Sequence, residues 1–100
     1  MTNAQSTDVD GAKPPPPTAS TTAYKDAAVQ LQVGLAVRYT GDADKDFASV
    51  IAAYHTGAIA AANIELKYGT NAEMRHLAEK VIAASEKDIA HAQAWQDKHR

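Results

Sequence analysis

One hundred residues leave room for one domain and no second core. Ten Lys and Arg against 12 Asp and Glu give a formal charge of −2 with the signs interspersed, so the basic patch that nucleic-acid binding needs is missing. The lack of cysteine excludes disulfides and thiolate metal sites, and twenty-two alanines favour helices that approach one another closely.

Residues 1–21 hold Thr, Ser, Asn, Asp, Gly and the run Pro14–Pro17. So little apolar surface cannot offset ordering entropy, and the prolines favour extended polyproline backbone. A disordered tail or tether is expected there, with a proline-rich ligand for a partner domain as the alternative. The opening "MTNAQSTDVDG" lacks the charged and apolar regions of a signal peptide. No apolar run approaches the roughly 20 residues that cross a bilayer.

Residues 22–100 are predicted to form an all-α, three-helix antiparallel bundle. The first helix is expected over 22–39, stopped by Gly41 as its C′ residue. The second starts in "GDADKDF", where Asp42 or Asp44 can cap the free N–H groups, and ends at Gly69. The third opens on "TNAE", with Thr70 as N-cap and Glu73 completing a capping box, and continues to near the C-terminus. The alternating acids of "DADKD" also begin an EF-hand loop. That loop needs Gly sixth and Glu twelfth, where this chain has Phe47 and Ala53, so capping is the better reading.

The helical period puts Phe47, Ile51, Ala58, Ala62 and Leu66 on one stripe of the second helix, flanked by Tyr54 and His55. On the third it gathers Met74, Leu77, Val81, Ala92 and Trp95 around Asp88. The short turn makes the two antiparallel, with His55 level with Ala84 or Ser85 and Asp88 about 5.4 Å further along. His55 and Asp88 are therefore predicted to meet in a buried polar island, joined by Tyr54 and Ser85 and edged by His91. Such a pair either fixes helix register or, as His55, Asp88 and His91, offers a metal site. His76, beside Arg75 on the opposite face, is expected in solvent, and His99 at a fraying end. No nucleophile, base and orienting group stand together in the sequence, so no enzyme activity is expected. A di-metal oxidase is also disfavoured, because Asp88-x-x-His91 is the only spacing like its Glu-x-x-His motif.

The first helix carries two stripes, one of Tyr24, Ala28, Leu31 and Leu35 and an opposite one of Val29, Val33 and Val37. A helix apolar on both sides must be covered on both. A homodimer with this helix near the interface is predicted; the alternative leaves the valines for an unrelated protein partner.

"GDADKDF", "HTGAI" at 55–59, "LKYG", "EMRHLAEKVI", "DIA" and Trp95 fall at the spacings of domain-of-unknown-function family 305, which the chain resembles from residue 24 onward. The resemblance implies a ferritin-like helical bundle, exported to the periplasm or secreted, in a family of which some members bind copper. That family's Met and His ligand positions are occupied here by Leu31, Gln32, Leu35, Ile51, Tyr54, His55, Ala61 and Ala92, so only His55 survives. The family's Gln and Glu of the third helix match Ser85 and Asp88. Copper(I) favours thioether and imidazole ligands, so the resemblance implies a bundle kept while its copper site is lost. What remains is a non-catalytic bundle protein of the cell envelope. The alternative is weak Zn(II) or Cu(II) binding by His55, Asp88 and His91.

Overall fold

The computed structural model describes residues 18–100. They form α1 (Ala19–Leu35), α2 (Ala43–Tyr68) and α3 (Ala72–Lys98), and no strand. At 1.5 Å per residue, helices of 17, 26 and 27 residues run about 26, 39 and 40 Å. The tail expected over 1–21 lies, as far as residue 17, outside the described residues; residues 19–21 already belong to α1.

Local chemistry explains each boundary, including two that differ from expectation. α1 starts early because Thr18 Oγ1 accepts the Thr21 N–H at 3.2 Å. It also ends early, at Leu35, because the link to α2 is tied down. Thr40 donates its N–H and its hydroxyl to Asp46 Oδ1, both at 2.9 Å, and Asp42 N–H donates to Thr40 Oγ1 at 3.0 Å. Gly41 takes φ +87° inside this link, a left-handed conformation that suits glycine, so it serves the turn into α2 rather than the end of α1. Asp42 caps α2 as expected, accepting from the N–H groups of Asp44 and Lys45. The cap of α3 is Asn71, not Thr70, and accepts the Met74 N–H at 3.0 Å. Glu73 thus sits one place too early for a capping box, though still where a carboxylate suits the helix dipole. Arg75 Nη1 donates to the carbonyls of Leu66 and Gly69 at 2.8 and 3.1 Å, satisfying acceptors at the end of α2.

α2 is the central rod. It packs antiparallel against α3 and against α1, and α1 does not touch α3. The three helices lie side by side in a layer with principal extents of 56 × 32 × 18 Å. The buried residues are Ala48 and Ala62 on α2, with Ala78 and Ser85 on α3. No large side chain among the described residues is fully buried. The expected stripes hold in part: Ala62 is buried and Ile51, Ala58, Leu66, Val81, Ala92 and Trp95 are half-buried, but Ala48, Ala78 and Ser85 form the rest of the seam while Phe47, Met74 and Leu77 stand exposed beside it. Small side chains let two backbones come close, and the bulkier stripe is displaced to the edge. On the other side of α2, Leu31 of α1 sits in a notch over Gly57, so close that a Cβ there would lie 2.9 Å from its Cδ1. Val29 and Val33 on the far side of α1 are exposed, the latter by 64%.

By length and composition α2 is also apolar enough to cross a membrane, against the expectation of no such run. Its eight alanines supply much of that apolarity; Ala48 and Ala62 are buried, and Ala52, Ala53 and Ala60 line the side that faces α1.

Candidate functional site

The α2–α3 face opposite α1 holds a groove of about 680 Å³. Phe47 and Ile51 wall it on α2, Ala92 and Trp95 on α3. His55, Asp88 and His91 supply its polar floor, and Asp44 stands at one end. All three predicted site residues therefore share one surface.

His55 and Asp88 meet as the helix register requires: Nε2 and Oδ2 are 3.4 Å apart. The other ring nitrogen, Nδ1, lies 3.3 Å from Ser85 Oγ. The depth differs from expectation. Ser85 is 3% exposed, whereas the side chains of His55 and Asp88 are exposed by 27% and 52%. The polar island is thus a ladder from the seam to the rim, and the carboxylate stays in contact with water. That placement avoids the large desolvation cost that a fully buried carboxylate would carry. Tyr54, expected in the island, points away and is half-exposed. A second polar contact that the apolar pattern did not reveal crosses the seam, where Gln96 Nε2 donates to Ser49 Oγ at 3.5 Å. Opposed polar residues at matching levels of the antiparallel pair were the available signal.

Ser85, His55 and Asp88, members of the polar island that the helix register led to, stand in the order of a hydrolase relay. The surroundings do not complete such a site. Ser85 Oγ is sealed in the seam, and its position inside α3 commits neighbouring backbone N–H groups to the helix ladder. No pair of free donors is left to form an oxyanion hole.

His91 is exposed on the groove, one turn beyond Asp88. Among the described residues, no three His, Cys, Asp or Glu side chains are gathered closely enough to hold a metal ion. The positions where the resemblance implies methionine are also dispersed. Leu31 lies in the α1–α2 seam and Ile51 and Ala92 line the α2–α3 groove, while Tyr54, at an implied histidine position, is half-exposed. Around His55 the groove offers phenylalanine, isoleucine and alanine in place of the thioethers that copper(I) favours. His76 is exposed as expected, 3.8 Å from Glu79. His99 stacks on the groove-wall Trp95 with ring centroids 4.0 Å apart, and its Nδ1 lies 2.7 Å from the Trp95 carbonyl.

The model of one protein family, described as a domain of unknown function (DUF305), matches residues 2–96. No curated protein matches.

Proposed function

The chain belongs to the DUF305 family, and from that premise we propose that it is a non-catalytic helical-bundle protein of the bacterial cell envelope, acting through contacts of its helices. The observation that carries this reading is the burial of Ser85: the one relay in the fold keeps its nucleophile inside the seam, 3% exposed. The envelope location rests on the family resemblance. Two measurements test the proposal. Hydrolysis of an activated ester should be no faster than with Ser85→Ala or His55→Ala, and an excess lost in both variants would overturn the non-catalytic reading. Fractionation of cells producing the natural protein should find it outside the cytoplasm.

A second reading, a weak Zn(II) or Cu(II) site, rests on His55, Asp88 and His91 sharing one groove, and it requires these side chains to draw closer together than they stand in the fold. Zinc takes such N and O donors, four at a time in closed sites. Calorimetric titration of the full chain decides: binding tighter than about 10 µM that is lost in His55→Ala supports the site, and weaker or unchanged binding removes it.

A further inference from the structure

Large apolar side chains of α2 and α3 left exposed by the fold are Phe47, Tyr54, Tyr68, Met74 and Leu77. They are not scattered. On α3 the spacing alternates three and four residues from Met74 through Leu77, Val81, Ala84 and Asp88, and reaches Trp95 seven further on. On α2 the same alternation joins Phe47, Ile51, Tyr54, Ala58 and Ala61, and recurs at Tyr68. A repeat of this kind marks a helix seam that packs against another helix. On each helix the row is turned by about 70–90° from the alanine seam, at 100° per residue. That is close to the right angle at which a helix in a four-helix bundle meets its second neighbour. Both rows open on the same side, away from α1, with the His55–Asp88 groove between them.

We infer that this α2–α3 face is the interface between two copies of the chain, which stack their hairpins into a four-helix seam with α1 on the outside. Three observations choose a second copy as the occupant. The described residues contain no fully buried large side chain, so the single chain lacks the core that a domain of this size needs. The face is two helices wide and nearly equal in length along both, which is the shape of an identical hairpin. At about 200 Å² for a large side chain, its five exposed members, uncovered by 38–65%, offer on the order of 500 Å² per protomer, the size of a small, readily exchanging interface. The small residues Ala58, Ala61 and Ala84 lie midway along it, where the helices of two copies can approach closely. The interface moves from α1, where the sequence placed it, because the valine stripe of α1 is a single short helix and cannot supply this area. Two copies would also bring two sets of His55, Asp88 and His91 to one groove.

Sedimentation of the full chain at about 50 µM, within reach of micromolar interfaces, tests the inference. The expected mass is twice 10.6 kDa. Leu77→Glu should shift it to a single copy, while Val33→Glu should leave it doubled. Because a protein that depends on its partner unfolds when the interface is broken, Leu77→Cys gives an independent reading in a chain without cysteine. Its thiol should be protected at high concentration and react at least tenfold faster on dilution below the dissociation constant. A folded single-copy mass, a concentration-independent free thiol, or a dimer lost with Val33→Glu and kept with Leu77→Glu would each overturn it. A monomer would leave the non-catalytic reading standing, and ester hydrolysis would leave the dimer standing.

Discussion

The two seams of α2 are built differently. Against α3 it uses its whole length, buries alanines and a serine, and adds three polar contacts, Ser85–His55, His55–Asp88 and Ser49–Gln96. Against α1 it offers the notch at Gly57 to one leucine, and α1 contributes no buried residue. The caps follow the same division. α2 and α3 start on Asp42 and Asn71, with acids in the first turn and a lysine in the last, whereas α1 has neither acids nor bases there. Local helix signals and tertiary contact therefore agree for the hairpin and are both thin for α1. The lesson is that an alanine-rich protein gains its order from close approach along a long seam, not from large buried side chains.

The difference can be broken most strongly at the alanine seam. Ala78→Leu forces a large side chain where the helices touch and is expected to destabilise by about 2–3 kcal/mol, read by chemical denaturation followed by circular dichroism. A change within experimental error would show that the seam is looser than its burial implies. Gly57→Leu fills the notch that holds Leu31, at a cost of about 1–2 kcal/mol after the gain in helix propensity. Its signature is local: amide exchange should accelerate in α1 while α2 and α3 keep their protection. Equal acceleration in all three helices would mean that α1 is not a separable element.

The polar ladder sharpens the comparison. Because Asp88 is half in water, the His55–Asp88 pair should couple by less than about 1 kcal/mol in a double-mutant cycle of His55→Ala and Asp88→Ala. The fully buried island read from the sequence would instead leave an orphaned carboxylate costing about 1–3 kcal/mol, so the cycle separates the two depths. The smallest effect belongs to the link before α2. There the Thr40 N–H, aided by the Thr40 hydroxyl, holds the Asp46 carboxyl below the ordinary aspartate range. A depressed value means that the folded state favours the charged form. Its contribution is complete above the unfolded pKa of about 3.9 and fades as the pH falls from there through the lowered folded value. Carboxyl chemical shifts on acid titration should place Asp46 below the other aspartates, and Thr40→Ala should raise it. No displacement in either protein would remove the clamp from the account.

The sequence by itself determined three helices, their antiparallel order in the hairpin, and the meeting of His55 with Asp88. Each rests on local rules: caps, helical period, and the 1.5 Å rise counted back from a two-residue turn. The family was legible as well, since "GDADKDF", "HTGAI" and Trp95 carry the resemblance that the family model over residues 2–96 bears out. What only the tertiary structure decided was which stripe lies inside. The helical period marks Phe47, Leu77 and their neighbours as apolar, and equally permits the alanine face beside them. Close packing selects the small face because two backbones can approach there, and the bulky row is left at the open edge. The depth of Asp88, the sealing of Ser85 and the early end of α1 all follow from that choice of face or from side-chain ties across turns, neither of which a one-dimensional pattern contains.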